Sequence, residues 1–188
     1  MGPQSPQSNR IGELRSDAQL VECIRLGDAR AFAELFNRHK RSVYEYCFRL
    51  LQDRDNAADA MQNTFIKMFN SIAGLKSTAA FKVWMFTIAR NEVFEHIRRS
   101  RSNGLPDEDD LWGEESPYEE YIQQEQTELV QRAIAQLKPD YREVLVLLEY
   151  EQLSYSEIAS ITGATIGSVE SRIFKARKAL AKKLKPYM

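Results

Sequence analysis

From Asp17 onward, polar and apolar residues alternate with a helical period. Leu20, Val21 and Ile24, then Ala31, Phe32, Leu35 and Phe36, then Val43, Tyr44, Cys47, Leu50 and Leu51 recur at steps of three and four, a spacing that lines one face of an α-helix. Breaks are predicted near Gly27-Asp28 and at Asp53. Another helix is predicted from about Asn56 to Ser71, burying Ala57, Ala60, Met61, Thr64, Phe65, Met68 and Phe69. After an interruption at Gly74 to Ala80 a further helix runs from Phe81 to about Arg101; its start is dense in aromatic residues and its end is basic. The period resumes at Leu129, Ile134 and Leu137, continues through Val144, Leu145, Leu147 and Leu148, and ends with Ile158, Ile161, Ile166, Val169, Ile173, Ala176 and Leu180.

Between these two sets the pattern fails. Residues 102–124 hold Gly104, Pro106, Gly113 and Pro117, and Leu105, Leu111 and Trp112 fall at no helical spacing, as in a linker. Residues 1–16 are polar, contain proline and lack a period, which predicts a disordered arm. The fold class expected is therefore all-α: two small helical domains, residues 17–101 and 125–188, joined by an acidic flexible linker. With only 8 glycines and 6 prolines in 188 residues, composition also favours helices over turn-rich sheets.

Charge sharpens this division. The net charge is −1, yet Thr165 to Met188 carries seven Lys/Arg against the single acid Glu170, a local +6 suited to holding phosphates. Arg101 to Glu128 carries ten acids against one base, a local −9 that repels nucleic acid. No apolar run approaches the ~18 residues of a membrane span and no leader pattern is present, so a cytoplasmic location is expected. Cys23 and Cys47 lie in apolar-periodic stretches without metal-ligand spacing and are expected as reduced core thiols. His39 and His96 lie far apart, and no nucleophile, zinc or phosphate-loop motif occurs, so no catalytic residue, metal or cofactor is assigned.

Between Leu153 and Leu184 the residues spell a short helix, a glycine turn and a longer helix. Ser154 or Ser156 can cap the first helix, Gly163 can end it in the left-handed conformation, and Thr165 can cap the second. On the second helix Ile166, Val169, Ile173, Ala176 and Leu180 share one face, leaving Ser168, Glu170, Ser171, Arg172, Phe174, Lys175 and Lys178 outside. That is the pattern of a helix-turn-helix whose second helix enters a major groove by its N-terminal end. The alternative, a helical hairpin with a solvated basic face, leaves unexplained an aromatic residue, Phe174, well suited to thymine methyl groups.

These residues carry a resemblance to a known family. The strings Leu137-Lys138-Pro139-x-Tyr141-Arg142-Glu143-Val144, Leu153-Ser154-Tyr155-x-Glu157-Ile158-Ala159 and Gly167-Ser168-Val169-x-Ser171-Arg172 resemble the second module of sigma-70 factors of RNA polymerase, in the extracytoplasmic-function (ECF) group. Gly27-Asp28-x-x-Ala31-Phe32, Asp59-x-x-Gln62-x-x-Phe65 and Phe81-x-x-Trp84-x-x-x-Ile88-Ala89-Arg90-Asn91 resemble the first. The likeness spans about Asp17 to Leu184.

The resemblance implies a factor that lends promoter specificity to core RNA polymerase, binding the clamp of the beta-prime subunit and the beta flap. Glu170, Ser171, Phe174 and Lys175 would face bases of the minus 35 element, and Arg142, Ser168, Arg172 and Arg177 would hold phosphates. Lys76, Ser77 and Thr78 of the Gly74 to Ala80 loop, with Arg90 and Asn91, would meet the melted minus 10 strand. Asp55, Asp59, Gln62, Asn63 and Phe65 would meet polymerase, although relatives carry more acids where this chain has Asn56-Ala57-Ala58-Asp59-Ala60-Met61-Gln62-Asn63. That deficit suggests Thr64 as a phosphorylation site for a Ser/Thr kinase, since a phosphate adds about −1.5 to −2 charge. An anti-sigma factor is the other regulator the resemblance implies. The rival reading is an ordinary helix-turn-helix regulator that binds duplex DNA without polymerase.

Overall fold

A computed structural model describes residues 15–102 and 122–187. The N-terminal arm and most of the acidic linker lie outside the described residues. Eight α-helices follow in order: α1 (Asp17–Arg25), α2 (Ala29–Leu51), α3 (Arg54–Ser71), α4 (Phe81–Ser102), α5 (Ile122–Ala135), α6 (Pro139–Leu145), α7 (Tyr155–Thr162) and α8 (Ile166–Leu184), with no strand among the described residues. The all-α expectation holds.

Local chemistry sets the boundaries. Ser16 and Gln19 form a reciprocal capping box on α1, and the Asp28 carboxylate accepts from the backbone N–H groups of Arg30 and Ala31 at the start of α2. Helix α3 starts earlier than the apolar period suggests, because Asp53 caps it by accepting from the Asn56 N–H at 2.7 Å. Pro139 opens α6, where its missing N–H costs nothing. A π-helical turn, Val146–Tyr150, then leads towards α7.

Helices α1 to α4 form one bundle. Asp17 ties α1 to α2 through Arg38 at 2.7 Å and His39 at 2.8 Å. The Phe36 and Phe65 rings meet edge-on at 4.7 Å between α2 and α3, and Lys67 of α3 pairs with the buried carboxylate of Glu92 on α4. Two residues depart from their expected faces: Phe69 is 59% exposed and Ile166 is 49% exposed. Each helical residue turns about 100° from the last, so Phe69 falls beside the Ala57, Ala60, Thr64, Met68 stripe. Its ring rests edge-on against Phe32 at 5.0 Å.

Helices α6 to α8 form the second set, and they do not stand apart from the first. Helix α7 packs along α4, α6 touches α2, and buried residues of both sets belong to one continuous core. The joint is partly polar. The Arg142 guanidinium, 1% exposed, donates to the carbonyl oxygens of Leu50 at 2.8 Å and Leu137 at 3.0 Å, and also to that of Ala135. Its neighbour Glu143, fully buried, accepts from the Tyr46 hydroxyl at 3.2 Å and faces Arg90 Nε at 2.8 Å. Nearby, the Ser42 hydroxyl donates to Glu151 Oε2 at 2.7 Å, and the Arg49 guanidinium lies 4.0 Å from the centre of the Tyr150 ring.

Burial pushes the Glu143 carboxyl up from 4.5 to about 6, with Arg90 and Tyr46 pulling the other way. The folded chain therefore holds a proton on Glu143 over a window where the unfolded chain releases it. This contribution is largest below the unfolded value and is lost as pH rises through about 6. Glu143→Gln should flatten the pH dependence of the melting temperature between these values, removing a swing of about 2 kcal/mol at most. Thermal unfolding followed by circular dichroism measures it; an unchanged slope would show that Glu143 does not hold the proton. In the same assay Gly163→Ala should destabilise by about 1–2 kcal/mol. Gly163 ends α7 with φ +67° and its added Cβ would meet nothing, so the cost is backbone strain alone.

Candidate nucleic-acid interface

The turn between α7 and α8 is built as the residue pattern requires. The Ser154 hydroxyl accepts from the Glu157 N–H and the Glu157 carboxylate reaches back to the Ser154 N–H, so α7 begins at a fixed residue. Gly163 turns the chain, and the Thr165 hydroxyl accepts from the Ser168 N–H at 3.2 Å to start α8. Val169, Ile173 and Ala176 anchor α8 in the core. That anchoring turns Glu170, Ser171, Phe174 and Lys175 outward together, with Phe174 70% exposed. Ser168 and Arg172 are half-buried beside them. Arg177 pairs with Glu149 at 2.8 Å across exposed surface, a contact weak enough for a phosphate to replace.

A second group gathers around the loop before α4. Lys76 and Ser77 are exposed there, and Thr78 is half-buried. Leu75, buried, pins the loop, and its carbonyl accepts from the Arg25 guanidinium of α1. Asn91 is exposed on α4. Arg90 is half-buried, held between Glu143 and the Phe94 ring at 4.4 Å. The structure thus brings Lys76, Ser77 and Thr78 together but commits Arg90 to the second helical set.

Three expected roles meet the geometry differently. Arg142, expected at a phosphate, is buried, and its guanidinium is taken up by backbone carbonyls at the end of α2 and before α6, so it is not presented to DNA in this arrangement. Phe65, expected at a partner surface, is buried against Phe36 and only floors a groove of about 550 Å³ that Phe32, Met61, Ile66 and Phe69 complete. Thr64, expected as a surface acceptor of phosphate, is fully buried, and its hydroxyl donates to the Ala60 carbonyl at 2.7 Å. Asp55, Asp59, Gln62 and Asn63 do lie exposed on α3.

Tyr46 and Glu151 are joint residues that the motif reading did not name, and Glu143 stood in a motif string without a role. The signal was the apolar run Val144 to Leu148 next to Glu143, which marks a helix buried on more than one side. Cys47 is buried and its thiol is pushed up to about 12 by that burial; Cys23 is likewise free. Among the described residues no cluster of His, Cys, Asp and Glu is placed to hold a metal.

Comparison with known proteins matches this geometry to a family. The Sigma-70 region 2 family model matches residues 35–103, and the Sigma-70, region 4 model matches residues 127–180. The RNA polymerase sigma-H factor of Pseudomonas aeruginosa is 34% identical, over 92% of this chain and 95% of its own length. The ECF RNA polymerase sigma-E factor of Haemophilus influenzae is 31% identical, over 95% of this chain and all of its own length. Among solved structures, the sigma factor RpoE of Bartonella quintana, in co-crystal with the anti-sigma factor NepR, superposes with a TM-score of 0.69 at 27% identity, covering 84% of this chain and 98% of its own. CnrH, solved with the cytosolic domain of CnrY, has the same fold with a TM-score of 0.69 at 22% identity, covering 92% and 99% of the two chains. The two family regions in this order and the relatives matched over nearly their whole length place the chain in the sigma-70 family, as a member of its extracytoplasmic-function group.

Proposed function

We propose that this chain binds core RNA polymerase and directs it to promoters by reading a minus 35 element with α8 and holding a melted minus 10 strand with the loop before α4 and the face of α4. The observation that carries the reading is the outward set Glu170, Ser171, Phe174 and Lys175 on a capped, well-anchored helix. Lys175, with Arg172 and Arg177 as phosphate ligands, supplies the attraction to the backbone, and Glu170 supplies selectivity. A carboxylate accepts from cytosine N4 and is repelled by phosphates, so Glu170 gains only when a cytosine is in place.

On the polymerase side, the exposed edge of α3 supplies Asp55, Asp59, Gln62 and Asn63, and the adjacent groove supplies apolar area through Ile66 and Phe69. Two carboxylates are few for a surface that meets a basic clamp. We assign this deficit to control. A phosphate on Thr64 would add the missing charge, but the hydroxyl must first leave Ala60 and the core, so the kinase acts on an opened α3 and the modified helix packs differently. An anti-sigma factor is the second control; the co-crystal of the relative RpoE with NepR supports it.

Run-off transcription with core polymerase on a promoter library tests the main reading. Defined transcripts are expected, and specific duplex binding without any polymerase-dependent transcript would instead establish an ordinary helix-turn-helix regulator. In that assay Glu170→Ala should relax selection at one minus 35 position by about 1–3 kcal/mol and leave the others intact. For the control step, Thr64→Glu should retain core polymerase on a pull-down better than Thr64→Val. Equal retention would remove Thr64 from the account.

A further inference from the structure

We propose that Arg25, on α1, is a positioning residue for the single strand: by holding the Leu75 carbonyl it aims the Lys76 N–H as a donor, so that a residue touching no DNA sets part of the preference for one unpaired base. The proposal rests on the sigma-factor reading above, in particular on the loop before α4 as a strand contact. It adds a residue outside that loop on which the loop's selectivity depends.

The loop has few ties of its own. It is flanked by two 3-10 turns, Ile72–Gly74 and Thr78–Ala80, and α1 touches both. Within it the Leu75 N–H donates to the Ile72 carbonyl at 3.1 Å and the Ala80 N–H to the Ser77 carbonyl at 3.2 Å. The Ser77 side chain does not cap the turn that follows it. Of residues 75–80 only Leu75 is buried. Behind the loop a cleft of about 480 Å³, lined by Arg15, Glu22, Cys23 and Thr78 among others, leaves it room to shift. Among the described residues, Arg25 supplies the one side chain from outside 74–80 that hydrogen-bonds to that stretch.

Arg25 is itself well held. Its guanidinium pairs with Glu22 at 2.7 Å and sits in the last turn of α1, where a cation meets the negative end of the helix dipole. What it fixes follows from the peptide unit. The Leu75 C=O and the Lys76 N–H belong to one planar trans peptide and point in opposite directions, so a donor from α1 on the carbonyl turns the N–H away from α1. Among the described residues that N–H has no backbone partner, and Lys76 is exposed. The charge on Arg25 also polarises the peptide, which strengthens the N–H as a donor. An aimed donor discriminates between bases because the acceptor atoms on their edges differ in place, and a base with no acceptor there leaves the donor unpaired.

Run-off transcription by the full chain with core polymerase, on a library randomised over the minus 10 and minus 35 elements, tests the proposal. In Arg25→Met the preference at one minus 10 position should fall by about three- to tenfold, the worth of one hydrogen bond, with the minus 35 ranking unchanged. Arg25→Lys, which keeps one charged donor, should retain the larger part of that preference. Lys76→Ala, which removes the side chain but keeps the N–H, should lower total transcript and leave the preference in place. Should Arg25→Met lose its helix content by circular dichroism, Glu22→Ala, at an exposed position, loosens the same guanidinium and should shift the same base position by less. An unchanged minus 10 ranking in the folded variant, a uniform loss over all sequences, or loss of the preference in Lys76→Ala would each overturn the proposal. A wild type without any promoter-dependent transcript overturns the sigma-factor reading itself, whereas a transcribing wild type with one of those three outcomes removes Arg25 alone.

Discussion

Two neighbouring charges of opposite sign, Arg142 and Glu143, are buried where the halves of the chain meet, and their need for partners dictates the arrangement of everything around them. A guanidinium cannot be left dry without acceptors. Here the acceptors are main-chain carbonyls on both sides of the joint, including that of Leu50 in the last turn of α2. Glu143 in turn draws Tyr46 and Arg90 inward. The first helical set thus surrenders a cation and a hydroxyl to hold the second.

The remainder of the second set follows from that anchorage. Once α6 is fixed, the π-helical turn and the Ser154 capping box aim α7 along α4, and Gly163 and Thr165 aim α8 away from it. The face of α8 with Glu170, Ser171, Phe174 and Lys175 is then outward because its apolar stripe, Val169, Ile173 and Ala176, enters the core. Charge segregation along the chain adds long-range attraction to that end and withholds it from the linker.

Most of the fold was legible in the sequence because helix period and cap chemistry are local. Ser154, Gly163 and Thr165 act within four residues of their own positions, so the pattern names both the residue and its role. Arg142 shows the limit. Its carbonyl partner at Leu50 lies 92 residues away, and a local string cannot say whether an arginine points at phosphate or at a distant helix end. Thr64 is a different case: its place in the Ala57, Ala60, Met68 stripe already set it inward, and the charge deficit around it pointed the other way. Packing decided between the two. Phe69 failed by angle alone, one helical step beyond the buried stripe.

The π-helical turn at Val146–Tyr150 sets the direction of the chain that follows it. There the Glu151 N–H reaches the Val146 carbonyl at 3.3 Å, five residues back, so the turn holds one residue more than an α-helical path would. Losing that residue would rotate all that follows by about 100°, swinging α7 off α4 and re-aiming α8. Replacing a side chain there alters a contact, whereas changing the number of residues alters the direction of α7 and α8 together. The number of residues between α6 and α7 therefore fixes where α8 points, while substitutions on the exposed face of α8 leave that direction unchanged.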